Sequence, residues 1–156
     1  MRDLHDEARQ YAFKLLSYRG RSEKELEGRL IKKGFPETVV FSTINRLKQS
    51  GLINDMALAE DLKRVAITRK LLSYTGAKRF MCNRGIPRKI VDSMFSPDEN
   101  EDVENAKKLV DKKLRAMENC PAEKIKRRLY NLLLRRGYSF ETIKTVLKDK
   151  NFNEED

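Results

Sequence analysis

The residues in this sequence that are best able to form a binding site are its lysines and arginines. The 156-residue chain has 34 of them against 24 aspartates and glutamates, which gives a net charge of +10 and a pI near 9.7. Ammonium and guanidinium groups bind phosphates and carboxylates, as point charges or as bidentate forks. A chain this basic is expected to attract a polyanion: nucleic acid, an anionic membrane or an acidic protein surface. The alternative is that these charged side chains form the solvent-exposed face of helices and bind no partner.

Three segments place basic residues directly before a glycine. They read LIKKGFPETVV, MCNRGIPRKIV and LLRRGYSFETI, and their glycines, Gly34, Gly85 and Gly137, are 51 and 52 residues apart. Basic side chains on the last turn of a helix complement the negative end of its macrodipole. Equivalent corners of three repeated units would also present positive charge along one side. The spacing is compatible with both interpretations.

Charge is unevenly distributed along the chain. Residues 55–97 contain 9 basic and 4 acidic residues, whereas 1–54 contain 11 and 7, and 98–156 contain 14 and 13. The middle segment is therefore the shortest and the most positive, and we expect it to face the polyanion. The candidate partner-binding or DNA-binding residues are Lys63, Lys70, Lys78, Arg79 and Arg84, followed by Arg127, Arg128, Arg135 and Arg136.

Other kinds of site have little support in the sequence. Cys82 and Cys120 are far apart and His5 is the one histidine, so we expect neither a structural zinc site nor any other metal. Glycine-rich phosphate loops and nucleophile motifs are absent, which predicts a protein without catalytic activity or cofactor. The apolar runs are too short to span a bilayer and the N-terminus is charged, so a cytoplasmic location is expected.

The elements that position the basic residues can be predicted from apolar spacing. Counted from each glycine, apolar residues recur eight and four positions before it and six and ten positions after it. This spacing indicates a helix, a turn at the glycine and a second helix, with the glycine at the left-handed C′ position. The residues expected in the core are Leu26, Leu30, Val40 and Ile44 in the first unit, and Leu129, Leu133, Ile143 and Leu147 in the third.

A further helix is predicted in front of each pair. Ser22 and Glu25 form a capping-box pattern at the second helix, and Pro121 is suited to open the corresponding helix of the third unit. No stretch alternates with a period of two, so no sheet is expected. The predicted fold is all-α: an elongated array of three tandem three-helix modules, with about nine helices, at residues 1–54, 55–97 and 98–156.

Two motifs resemble the RecX family of bacterial regulatory proteins. The segment RSEKELEGRLIKKGF matches the family's Ser-x-x-Glu-Leu…Leu-x-x-Lys-Gly pattern, and GLINDMALAEDL matches the link that follows it. The resemblance covers nearly the whole chain and its three-module layout. The chain departs from the family in SYTGAKRFM, which lacks the usual glutamate, and at Leu58, where phenylalanine is usual. The matching residues are Ser22, Glu25, Leu26, Leu30, Lys33, Gly34, Gly51, Asp55 and Ala59.

The resemblance implies a specific activity. RecX proteins bind the RecA recombinase in the groove of its filament on DNA, and inhibit its ATPase, strand-exchange and co-protease activities. It therefore implies RecA and its nucleoprotein filament as partners, and leaves open whether the protein also contacts single- or double-stranded DNA. A monomer is expected, although the sequence does not fix the oligomeric state. The main alternative is a direct DNA-binding regulator of the helix-turn-helix type, using Arg88 and Lys89 or Arg127 and Arg128. A passive helical scaffold is the third interpretation.

Overall fold

The computed structural model describes residues 3–148 and 150 and contains, within them, nine α-helices and no strand. The all-helical prediction is therefore confirmed. A five-residue π-helical segment, Val65–Arg69, follows α4, and a 3₁₀ turn, Pro97–Glu99, precedes α7. The helices are α1 (Leu4–Tyr18), α2 (Glu23–Lys33), α3 (Glu37–Gln49), α4 (Asp55–Arg64), α5 (Tyr74–Asn83), α6 (Arg88–Ser93), α7 (Asp102–Leu114), α8 (Ala122–Arg135) and α9 (Phe140–Lys148).

The first compact unit comprises the chain up to Leu62 together with Met81–Met94. Within it α1, α2 and α3 pack pairwise on one another. The apolar stripes of these three helices supply the main part of one core, as the sequence spacing predicts. The buried residues of this core are Ala8, Ala12, Leu15, Leu26, Leu30, Val39, Val40, Ile44, Leu47 and Ile53.

The second compact unit comprises Lys63–Phe80 together with the chain from Phe95 onward. Here α7, α8 and α9 pack pairwise on one another. Leu71, which follows the π-helical segment, joins their core, and the Tyr138 hydroxyl donates a 2.6 Å hydrogen bond to the Leu71 carbonyl. The buried residues of this core are Leu71, Ala106, Leu109, Val110, Leu129, Leu133, Tyr138, Ile143, Val146 and Leu147.

The three repeated glycines end helices as predicted. Gly34, Gly85 and Gly137 have φ values of 106°, 83° and 90°, a region that residues with a Cβ avoid. After each glycine the next residue donates its N–H to a carbonyl five positions back, as in Tyr138 to Leu133 at 3.1 Å. This is the hydrogen bond of a Schellman turn, and it folds the following apolar residue back onto the helix that has just ended.

The predicted capping box at Ser22 forms only in part. The Ser22 hydroxyl accepts a hydrogen bond from the Glu25 N–H at 3.1 Å, which confirms the N-cap. The Glu25 carboxylate does not complete a reciprocal box. Instead it pairs with the Arg84 guanidinium at 2.9 Å, because a charged partner offers a stronger hydrogen bond than a backbone N–H.

The fourth helix buries only part of its apolar face. Leu58 and Val65 are only half-buried, while Ala59, Leu62 and Ala66 are buried, so the inner face combines one leucine with two alanines. The regular helix ends at Arg64, and the Lys70 N–H bonds the Val65 carbonyl five residues back. This hydrogen bond spans one residue more than that of an α-helix, and the Leu72 N–H bonds the Ala66 carbonyl at 2.9 Å just beyond the segment.

The chain passes from one compact unit to the other at three points: inside α4, inside α5 and between Met94 and Phe95. The module limits predicted at 54/55 and 97/98 stay a prediction. No helix within residues 3–148 combines the length and the apolar content needed to cross a bilayer.

Candidate basic interface

A contact region at the start of α2, which we call the first joint, positions the basic corner before Gly85. Besides the Ser22 cap, the Asp55 carboxylate accepts a 2.9 Å hydrogen bond from the Glu23 N–H, so two side chains satisfy donors that the helix leaves free. The glycine turn at Gly85 lies against the same serine: a Cβ at Gly85 would stand 2.3 Å from the Ser22 hydroxyl oxygen. Only a glycine allows this approach.

The same joint recurs at the start of α5 in the second unit. The Ser73 hydroxyl accepts from the Gly76 N–H at 2.9 Å, and the Asp102 carboxylate accepts from the Tyr74 N–H at 2.9 Å. A Cβ at Gly137 would stand 2.6 Å from the Ser73 hydroxyl oxygen. Each joint thus combines a capping serine, a capping aspartate from the second helix after the capped one, and a glycine turn from further along the chain. In consequence the basic residue before that glycine points toward the joint.

Arg84 is held inside the first joint. Its Nε donates to Glu25 at 2.9 Å and a terminal nitrogen donates to the Gly20 carbonyl at 3.1 Å. Arg19 and Arg21 approach the same carboxylate at 3.5 and 3.7 Å. Burial, and then the positive charge of Arg19, lowers the pKa of Arg21. Three guanidinium groups therefore share one carboxylate here, and Arg84 has a structural role.

Arg136 occupies the equivalent position in the second joint. Its guanidinium donates to the Lys70 carbonyl, and its own carbonyl accepts from the Ser73 N–H at 3.0 Å. Arg135, its neighbour, is exposed. Of the two arginines before Gly137, Arg136 therefore contacts the protein itself and Arg135 faces solvent.

Two of the predicted lysines meet at one aromatic ring. The Lys63 Nζ lies 4.8 Å and the Lys78 Nζ 5.7 Å from the centre of the Phe95 ring. Tyr74 packs edge-on against the same ring, with centroids 5.1 Å apart. We call Lys63, Lys78, Phe95 and Tyr74 the lysine–aromatic cluster. Cation–π contacts fix where the two ammonium groups stand, although Lys63 and Lys78 are 15 positions apart in the sequence.

Lys70 and Arg79 lie in the same compact unit as this cluster. The Lys70 Nζ lies 5.1 Å from the centre of the Phe80 ring, and Arg79 is exposed on α5. Acidic residues also lie in this unit: burial, and then the charges of Glu101, Glu99 and Asp102, raises the pKa of Tyr74. The unit therefore offers both signs of charge.

A second basic surface follows one face of α8. Exposed residues at three- and four-residue steps lie above one another on a helix, and here they are mostly basic. Arg127, Arg128 and Arg135 were predicted as candidates; Lys124 and Asn131 were missed, although their spacing from Arg128 and Arg135 is the signal that identifies them. We call this set the α8 stripe: Lys124, Arg127, Arg128, Asn131 and Arg135.

Two segments of the chain match models of known protein domains. Residues 8–47 match the model of the first three-helix domain of RecX, and residues 99–147 match that of its third three-helix domain. A crystal structure of RecX from Lactobacillus salivarius superposes with a TM-score of 0.70 over 94% of this chain and 96% of that one, at 23% identity. That likeness shows the fold.

Curated relatives extend the match along the chain. A regulatory protein RecX from Mycobacterium sp. (strain JLS) is 31% identical over 142 residues, which cover 86% of this chain and 76% of the relative. A regulatory protein RecX from Amycolatopsis mediterranei (strain U-32) is 29% identical over 147 residues, 94% of this chain and 84% of the relative. With two domain models and relatives matched along most of their length, the chain belongs to the RecX family of regulatory proteins.

Proposed function

We propose that this protein binds the RecA recombinase on its DNA filament and inhibits its ATPase, strand-exchange and co-protease activities. The protein acts in the cytoplasm, by occupying the filament groove and not by catalysis, and it uses no cofactor. Membership of a regulatory family supports this function, together with the net charge of +10, since a nucleoprotein filament presents phosphates and protein carboxylates along its length.

The lysine–aromatic cluster is the observation that carries the proposal. Lys63 and Lys78 each place an ammonium group near the Phe95 ring centre, at 4.8 and 5.7 Å, and two positive charges held at one side chain attract an anion. A phosphate or a recombinase carboxylate would be attracted to both ammonium groups. Because their positions are fixed in advance, less conformational entropy is lost on binding.

RecA-dependent ATP hydrolysis on single-stranded DNA, titrated with this protein, tests the proposal. The variant reverses four charges together, K63E/K70E/K78E/R79E. It leaves Arg84 in place, because that side chain holds the first joint. We expect the concentration for half-inhibition to rise at least about tenfold, as for loss of several charged contacts.

A matched control reverses four charges on the α8 stripe, K124E/R127E/R128E/R135E. It changes the net charge equally, so a non-specific effect of charge would weaken both variants alike. We expect the control to inhibit within about threefold of the parent. Circular dichroism and melting of both variants show whether the fold is retained. If the cluster variant inhibits as well as the parent, the middle segment is not the contact.

The α8 stripe supports a second candidate function, direct DNA binding. Arginine and asparagine side chains on one exposed helix face are suited to phosphate and base-edge contacts in a groove. Arg88 and Lys89, also exposed at the start of α6, are the other candidates. In this case the protein binds random duplex DNA without recombinase, and the α8 control variant loses that binding while the cluster variant keeps it.

A further inference from the structure

A groove with an acidic rim lies between α2 and α3 of the first unit. Val40 and Ile44 form its floor, and both are buried. Ile31 and Phe41 form its walls and remain 48% and 71% exposed. The groove has a volume of about 470 Å³. Large apolar side chains this exposed on the walls of one groove are typical of an interaction surface.

The rim of this groove is negative. Glu27 and Glu37 are exposed at its edge. Glu23 also lines it, but is paired with Lys48 at 3.3 Å, so Glu27 and Glu37 carry most of the charge that a partner would meet. We call this surface the acidic groove.

A second groove lies between α8 and α9 of the second unit and has a basic rim. Ile143 and Leu147 form its floor, and its volume is about 370 Å³. Tyr130 and Phe140 form its aromatic wall, with ring centroids 6.5 Å apart, and Phe140 is 62% exposed. We call this surface the basic groove. Its rim residues are Lys126, Lys144 and Lys148.

The two grooves occupy the same place in their modules. Counted from Gly34 and Gly137, Val40 corresponds to Ile143 and Ile44 to Leu147, so the apolar floors are equivalent. The rims differ in sign. The basic rim residues Lys126, Lys144 and Lys148 take the places of Glu23, Phe41 and Asn45. The exposed acidic residues Glu27 and Glu37 take the places of the aromatic residues Tyr130 and Phe140. One chain therefore presents two similarly shaped apolar surfaces with opposite charge at their edges.

We propose that the acidic groove of one copy binds the basic groove of a second copy, so that the protein self-associates head to tail. The exposed phenylalanines, Phe41 and Phe140, supply the apolar centre of the contact and the charged rims supply its specificity. A symmetric contact of either groove with itself would place like charges together. The contact is therefore heterologous, and it extends a chain of copies unless it closes into a ring.

This inference goes beyond the proposed function and does not depend on it. It departs from the monomer expected from the sequence. The test needs no recombinase: sedimentation velocity of the full chain at rising concentration and low ionic strength. The weight-average mass should rise with concentration, and fall again when salt is added, because the rim charges are exposed and therefore screened.

Charge-reversal pairs identify the surfaces. The variants E27K/E37K and K144E/K148E should each raise the apparent dissociation constant at least about tenfold, because each leaves two rims of like charge. An equimolar mixture of the two variants should associate again, since the positive rim of one meets the negative rim of the other. The variant with all four substitutions should associate like the parent.

Matched controls separate the grooves from net charge. D98K/E118K and K89E/K112E change the net charge by the same amounts at exposed positions outside both grooves, and should associate like the parent. The inference is overturned if the parent's mass is independent of concentration, if the controls weaken association as much, or if the mixture stays monomeric while both variants keep the parent's melting transition. It is equally overturned if E27K/E37K alone weakens binding to another protein without affecting self-association.

Discussion

Arg84 lies one residue before the Gly85 turn, and its guanidinium forms an intramolecular ion pair with Glu25. Its side chain is 20% exposed and faces a Glu25 side chain that is 18% exposed. In R84E two carboxylates would meet where an ion pair stood. We expect the free energy of unfolding in urea to fall by about 1–3 kcal/mol, the usual cost of leaving a part-buried charged group without its partner.

R79E is the matched comparison for R84E. Arg79 is exposed on α5, so its reversal should change stability by no more than about 0.5 kcal/mol. Equal losses in R79E and R84E would show that the Glu25 contact contributes nothing particular to stability.

The inward direction of Arg84 and Arg136 was not predictable from their surroundings in the sequence. Like Arg135, both were predicted to be candidate binding residues at the end of a helix. Their acceptors, the Glu25 carboxylate and the Lys70 carbonyl, lie 59 and 66 positions away. Residue type and local spacing identified which residues are basic and near helix ends, but a contact at that separation depends on how the helices pack.

At the scale of the element, the glycine turns differ in what surrounds them. Gly34 has a positive φ but open space where a Cβ would stand, whereas at Gly137 a Cβ would lie 2.8 Å from the Gly76 backbone. G34A should therefore lose about 1–2 kcal/mol, the strain of a left-handed residue. G137A should lose a further 1–3 kcal/mol or so, from overpacking. Thermal melting of the two variants in parallel measures the difference. Similar losses of stability would mean that the backbone around Gly76 and Gly137 moves apart at little cost to make room for the added Cβ.

The first turn of α7 contains an aspartate whose stability contribution depends on pH. Burial raises the pKa of Asp102, opposed by the hydrogen bond from the Tyr74 N–H. A carboxyl whose folded pKa exceeds its unfolded value binds its proton more tightly in the folded state. Raising the pH through the window above the unfolded value, about 4, therefore costs stability.

D102N isolates this effect. Asparagine keeps an oxygen to accept from the Tyr74 N–H but has no proton to lose in this range. The difference in unfolding free energy, parent minus D102N, should decrease as the pH rises from below 4 toward 7. A difference that increases with pH would show that the hydrogen bond, and not burial, dominates at Asp102.

Elements were more predictable than their irregularities. The apolar spacing around Gly34, Gly85 and Gly137 predicted the helix ends, because a change of phase and a left-handed residue must coincide there. The π-helical segment Val65–Arg69 has no comparable signal: its residues suit an ordinary helix, and its wide turn accompanies the packing of Leu71 beneath Tyr138. Lys63 and Lys78 were predicted from the sequence, but their common contact with Phe95, which lies in the loop after α6, was not, because that contact too depends on how the helices pack.

At the scale of the whole molecule, binding through basic residues should depend on salt. If Lys63, Lys70 and Lys78 each contact a phosphate of single-stranded DNA, the logarithm of the binding constant should fall with the logarithm of salt concentration with a slope of about −2. Fluorescence anisotropy of the filament complex over a salt series measures this slope. The variant K63E/K70E/K78E/R79E should show a shallower one, and an unchanged slope would assign the ionic contacts to other residues.

The two joints also constrain how genes of this family can exchange parts. Ser22 meets Gly85, and Ser73 meets Gly137, so the two joint-forming intervals overlap between residues 73 and 85. A recombination breakpoint between residues 73 and 85 takes the two residues of both contacts from different parents. A breakpoint elsewhere between residues 22 and 137 does so for only one of the two contacts. Chimaeras of distant relatives should therefore tolerate crossovers near the ends of this region better than crossovers within α5, in the middle of the chain.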